Sequence, residues 1–187
     1  MRLNTKTLTI ISLFTAVSIV LSLSPLKFSA PFAPFLKYQV WEIAIVTAFL
    51  LFGLKVGVSI SLINTLVLFA FFPGDLPSGP IYNLIALLSI ILGVYVIQKS
   101  LSKKINKNRE VILIILSTIS GMILRVIIMS IVNWIVLPFP YPIGYSIPSE
   151  GVPAILAVTA LFNATIVLYT IPLAYMIARA VGIGTKP

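Results

Sequence analysis

Long apolar stretches separated by short polar or proline-rich segments make up most of the sequence. Six such runs can be delimited, at residues 8–23, 40–54, 56–72, 81–97, 111–137 and 152–181. A helix needs about 20 residues to cross a bilayer, within a range of about 17–25. The run at 40–54 is therefore the least secure as a complete span. The pattern predicts an all-α integral membrane protein, a compact bundle of six transmembrane helices in a single domain covering residues 1–187.

The composition supports a protein that is solvated by lipid. Hydrophobic residues make up 59% of the 187 positions and charged residues only 9%, whereas a soluble domain is about a quarter charged. The chain has no Cys, no His and only four acidic residues, which removes zinc sites and Ser-His-Asp triads. It also has no GxxxxGK[ST] sequence for binding nucleotide phosphates. We therefore expect no enzyme activity, no metal site and no resident cofactor.

The net charge of +9 is distributed between the apolar runs, where basic residues face anionic lipid headgroups rather than nucleic acid. With an inside N-terminus, ten basic residues lie in cytoplasmic segments and two, Lys27 and Lys37, lie outside. The ten are Arg2, Lys6, Lys55, Lys99, Lys103, Lys104, Lys107, Arg109, Arg179 and Lys186. Such a bias is typical of a multi-pass protein of the cell membrane. It predicts that both termini are cytoplasmic.

Asparagines inside the apolar runs are not spread evenly with depth. In this topology Asn83, Asn133 and Asn163 lie in the outer half of the membrane, and Asn64 lies near the middle. A single amide can simply link two helices. The shared depth of three amides instead favours a binding site that opens outwards.

The fifth run carries one stripe of polar and flexible side chains. Its members, which follow the i, i+3, i+4 spacing of a helix face, are Met122, Arg125, Met129, Val132 and Asn133. An Arg at the centre of a membrane helix costs about 2.5–3.5 kcal/mol on insertion scales. Two interpretations of Arg125 stay open. It either pairs with Glu42 or caps exposed carbonyls, or it lines a water-accessible pocket beside the ligand.

Several short motifs, in this order, resemble one family of membrane proteins. They are "FLKY" before the second run, "SGPIYNLIA" at the start of the fourth, "GMILRVIIMSIVNWIVLPFPY" in the fifth and "FN" in the sixth. Together they are similar to the substrate-binding S component of energy-coupling factor (ECF) vitamin transporters, and most similar to the riboflavin-specific branch, RibU. The similarity extends over nearly the whole chain.

The resemblance implies a function and a set of partners. An S component captures a vitamin outside the cell, and a transmembrane coupling subunit with two ABC ATPases then releases it inside. Riboflavin would be the transported ligand rather than a cofactor. Carried over to this sequence, the family motifs and the stripe on the fifth run give substrate-binding candidates at Lys37, Tyr38, Asn83, Arg125, Met129, Asn133 and Asn163. A small-xxx-small motif that docks on the coupling subunit would correspond to Ser12 and Ala16.

Two departures from the riboflavin-branch pattern keep other ligands open. Gln39 occupies the position of the Asp in "LKYD", and Ile166 occupies a position that is commonly Lys in that branch. Another water-soluble vitamin or small metabolite is therefore an alternative ligand. From other classes, a small membrane enzyme acting on lipids and a ligand-free assembly protein are the alternatives. The scattered acidic residues disfavour the enzyme, and a polar pocket would be unexpected in the assembly protein.

Overall fold

The computed structural model describes residues 4–72, 74–101 and 110–181. These residues form six helices and one β-hairpin, in the order α1 Thr5–Leu23, β1 Lys27–Ala30, β2 Ala33–Gln39, α2 Trp41–Phe52, α3 Leu54–Phe71, α4 Gly79–Leu101, α5 Glu110–Val136 and α6 Val152–Ala180. Five of the helices are long and apolar enough to cross a membrane. The predicted membrane bundle of six helices is thereby confirmed. Among the basic residues used to predict orientation, Arg2, Lys103, Lys104, Lys107, Arg109 and Lys186 lie outside the described residues.

The proline-rich segment between α1 and α2 folds as an antiparallel hairpin rather than as an irregular loop. Lys27 pairs with Gln39 and Ser29 with Lys37, and the register shifts near the turn after Ser29. Proline is tolerated here because each strand of a two-stranded hairpin has an unpaired edge. The hairpin adds a β element to a chain for which the sequence predicted helices alone.

Helix α2 lies at the centre of the bundle. Nine of its residues are buried: Trp41, Glu42, Ile43, Ile45, Val46, Thr47, Ala48, Phe49 and Leu50. Its 12 residues span only about 18 Å at 1.5 Å per residue, against a hydrocarbon core of about 30 Å. The hairpin joins α2 at its N-terminal side, which we call the hairpin end of the bundle. At the other end Gly53, with φ of 89°, links α2 to α3 in a conformation that favours glycine.

Helix α5 is apolar on its outer face and more polar on its inner face. The outer face exposes a row of isoleucines at Ile115, Ile119, Ile123, Ile127 and Ile131. The inner face buries Ser117, Thr118, Gly121, Arg125 and Met129. In water this arrangement would be unfavourable, whereas in a bilayer the isoleucines face lipid and the polar groups find partners inside the protein.

Helices α4 and α5 approach each other very closely at two glycines. A Cβ atom at Gly93 would lie 2.5 Å from the Cα atom of Gly121. A Cβ atom at Gly121 would in turn lie 2.7 Å from the Cδ1 atom of Ile171 on α6. Glycine at both positions therefore sets how α5 fits between α4 and α6.

Candidate functional site

Arg125 is buried in the bundle and forms an ion pair with Glu42. Its Nη1 atom donates to Oε2 of Glu42, and its Nη2 atom donates to Oε1 at 3.0 Å. Only 4% of the Arg125 side chain and 6% of the Glu42 side chain are exposed. Glu42 lies in the first turn of α2, where the helix dipole favours a negative charge. Of the two interpretations drawn from the sequence, the ion pair is the arrangement in the structure.

A chain of polar contacts continues from Arg125 into α6. The Nε atom of Arg125 donates to Oδ1 of Asn163 at 2.8 Å, and Nδ2 of Asn163 donates to the carbonyl oxygen of Thr159 at 2.8 Å. The Thr159 hydroxyl accepts a hydrogen bond of 3.2 Å from Nδ2 of Asn133 on α5. Three helices thus contribute to one network, which we call the interior polar network and define as Glu42, Arg125, Asn133, Thr159 and Asn163.

Tyr38 attaches the hairpin to α6. Its hydroxyl shares a 2.7 Å hydrogen bond with the Thr165 hydroxyl, and its ring contacts the rings of Phe162 and Tyr169 at centroid distances of 4.9 and 6.1 Å. The Tyr169 hydroxyl also donates to the backbone carbonyl of Gln39 at 2.7 Å. The hairpin is therefore held against the helix that also carries Asn163.

The other predicted binding residues differ in how deeply they are buried. Met129 is buried on α5 with 7% exposure, and Asn133 is half-buried. Lys37 on β2 and Asn83 near the N-terminal end of α4 are exposed. The structure thus joins Arg125, Asn133 and Asn163 through hydrogen bonds, and it leaves Lys37 and Asn83 on the surface.

The hairpin end is also ordered by contacts between α4 and the segment after α5. The Ser78 hydroxyl lies 2.8 Å from the carbonyl oxygen of Pro142 and 3.0 Å from that of Ile143. The Tyr82 hydroxyl donates to the carbonyl of Ile143 at 2.7 Å. The start of α4 is therefore fixed to this segment one residue before Asn83.

Ser12 and Ala16 are exposed on the surface of α1, whose buried face is formed by Ile11, Thr15, Ser18 and Ser22. The two small residues are four positions apart, so they share one face of the helix. A groove of about 530 Å³ lies between α1 and α3 and is lined by Thr7, Ile11, Leu54, Lys55, Val56, Val58 and Ser59. None of the residues in the interior polar network lines it.

No binding role was predicted for four residues that contact predicted site residues, namely Thr159, Phe162, Thr165 and Tyr169. Thr and aromatic residues are ordinary constituents of membrane helices, so each is uninformative alone. The spacing does carry a signal, because Phe162, Thr165 and Tyr169 follow the i, i+3, i+7 pattern of one helix face.

Comparison with solved structures gives a match over nearly the whole chain. No family model and no curated protein matches the chain. A solved structure described as the S component of a bacterial ECF transporter has a TM-score of 0.73 and 27% sequence identity, over 97% of this chain and 98% of that chain. The chain therefore has the fold of an S component along essentially its entire length. This agrees with the expectation of a transport component rather than an enzyme.

Proposed function

We propose that this chain is the substrate-binding subunit of an ECF-type transporter in the cell membrane. It captures a water-soluble vitamin, with riboflavin as the leading ligand, outside the cell. A transmembrane coupling subunit and two ABC ATPases then drive its release into the cytoplasm. The observation that carries the proposal is the full-length match to an S component. It agrees with the motifs from which the sequence alone indicated the same family.

The ligand site is proposed at the hairpin end of the bundle. Asn133 and Asn163 lie together there through Thr159, and Asn83 and Lys37 lie on the surface at the same end. A flavin has a flat ring whose polar edge carries both donors and acceptors. Amide side chains can bond both kinds of group, while Met129 and Tyr38 provide apolar and aromatic surface for the ring.

A titration with riboflavin tests the ligand. Purified protein in detergent is expected to quench the fluorescence of riboflavin on binding, and Asn133→Ala and Asn163→Ala are expected to weaken that binding. Ile123→Ala, on the lipid-facing side of α5, serves as the matched control and is expected to bind normally. If riboflavin is not bound, a titration of the protein's tryptophan fluorescence with other water-soluble vitamins distinguishes another ligand from a protein without one.

The partner surface is proposed at Ser12 and Ala16. Both are small and exposed, and small residues let a partner helix approach closely. Ala16→Phe is therefore expected to abolish co-purification with the coupling subunit and uptake into cells, while riboflavin binding by the isolated subunit is unchanged. Ile123→Phe adds the same bulk to a lipid-facing position of α5 and is expected to leave both intact. Equal effects of the two substitutions would contradict a docking role for α1.

A further inference from the structure

We infer that Glu42 is a positioning residue for the ligand site, because through Arg125 it fixes the side-chain amide of Asn163. The inference rests on the proposed function, which assigns Asn163 to ligand binding, and it adds a residue for which no role in binding is otherwise apparent. Glu42 itself is buried, with 5% exposure.

The orientation of the Asn163 amide is determined by its two partners. The guanidinium group of Arg125 has only donors, so the Asn163 atom that faces its Nε must be the acceptor Oδ1. The two atoms are 2.8 Å apart. The Nδ2 atom then donates to the carbonyl oxygen of Thr159. A rotated amide would place donor against donor at Arg125 and acceptor against acceptor at Thr159. One amide hydrogen and one lone pair of Oδ1 are left for a further partner.

Glu42 controls the direction of the Nε donor. A guanidinium group is planar and rigid, so two bonds from its Nη atoms to one carboxylate also fix where Nε points. Both Nη atoms of Arg125 donate to Glu42. The carboxylate also balances the charge of an Arg that is 3% exposed, and a buried charge requires such a partner. Without the carboxylate, the guanidinium group could rotate away and release Asn163.

A double-mutant cycle separates this role from a purely structural one. Glu42→Gln keeps the size of the side chain but removes its charge, and we expect it to weaken riboflavin binding about tenfold, in line with the loss of a charged hydrogen bond. If Glu42 acts through Asn163, Glu42→Gln combined with Asn163→Ala binds no more weakly than Asn163→Ala alone. Glu42→Gln combined with Asn83→Ala, which removes a proposed ligand contact outside the interior polar network, is expected to give additive losses. Normal riboflavin binding by folded Glu42→Gln, or additive losses with Asn163→Ala, would overturn the inference.

A second variant covers the case in which Glu42→Gln does not fold. Arg125→Lys keeps a cation that can pair with Glu42 but removes the Nε donor to Asn163. It is expected to give the same loss of binding and the same absence of additivity with Asn163→Ala.

Nuclear magnetic resonance of the side-chain amide tests the positioning without any ligand. The Nδ2 resonances of Asn163 are identified by their disappearance in Asn163→Ala. In Glu42→Gln or Arg125→Lys we expect these resonances to shift, and unshifted resonances would refute the positioning role. If the wild-type protein binds no riboflavin but the resonances shift in these variants, riboflavin is contradicted as the ligand and the positioning of Asn163 remains supported.

Discussion

Replacing Gly93 by alanine is expected to destabilise the bundle by forcing α4 and α5 apart. The new Cβ atom would lie 2.5 Å from Cα of Gly121, 2.6 Å from its nitrogen and 2.8 Å from the carbonyl carbon of Ser120. All three atoms belong to the backbone, so no side-chain rotation can relieve the contacts. Since carbon atoms pack at about 3.5–4.0 Å, the two backbones must separate by about 1 Å. Helix α5 cannot simply retreat, because Gly121 already faces Ile171 on α6.

The magnitude follows from the cost of overpacking. Inserting a methyl group into a tightly packed interior costs about 1–3 kcal/mol, and 1 kcal/mol shifts the melting temperature of a chain of this size by about 2–4 °C. The expected decrease is therefore about 2–12 °C. Circular dichroism at 222 nm during heating in detergent measures it directly.

Two other glycines provide the comparison. A Cβ atom added at Gly79 would meet no neighbouring atom within 4 Å, so Gly79→Ala is expected to change the melting temperature little. Gly121→Ala would meet the end of the flexible Ile171 side chain, and we expect an intermediate loss. If Gly93→Ala melts at the same temperature as Gly79→Ala, the close approach of α4 and α5 is refuted.

Two further predictions concern the hairpin and the interior of α6. Tyr38→Phe removes the hydrogen bond to α6 but keeps the ring. Loss of a bond of about 0.5–1.5 kcal/mol is expected to make trypsin cleave after the neighbouring Lys37 several-fold faster than in the wild type. An unchanged cleavage rate would contradict the attachment of the hairpin to α6. The hydroxyl of Thr170 is buried with no hydrogen-bond partner among the described residues, so Thr170→Val is expected to leave the melting temperature unchanged or raise it. Thr159→Val is expected to lower the melting temperature, because the Thr159 hydroxyl accepts a hydrogen bond from Asn133. Equal decreases for the two valine variants would show that the Thr170 hydroxyl also has a hydrogen-bond partner.

The helices and the inner face of α5 could be predicted from the sequence, because lipid imposes long apolar runs and the 3.6-residue period shows which side chains share a face. The alignment of Asn133 and Arg125 on one stripe follows from this spacing alone. Pairing with Glu42 was one of the interpretations of Arg125, whereas Thr159, the partner of Asn133 on α6, was not predicted. Contacts between helices depend on how the helices are placed side by side, and a single sequence does not state this.

The position of Glu42 was predicted only in part. The sequence placed it near the outer end of the second run, from which pairing with Arg125 was one of two open interpretations. Helix α2 has only 12 residues, so its first turn lies well inside the bundle, where Glu42 meets Arg125. The hairpin was not predicted from the sequence. Prolines usually indicate a loop, and their compatibility with these strands becomes clear only from the strand pairing, which leaves one edge of each strand unpaired.

The pairing within the hairpin determines what its separation from α6 would require. Its two strands pair with each other, so the backbone hydrogen bonds between them lie within the hairpin. Moving it off α6 would therefore require exchange of the Tyr38 and Tyr169 contacts but would leave the pairing of the strands intact. The hairpin is thus a self-paired element that is attached to α6 through the side chains of Tyr38 and Tyr169.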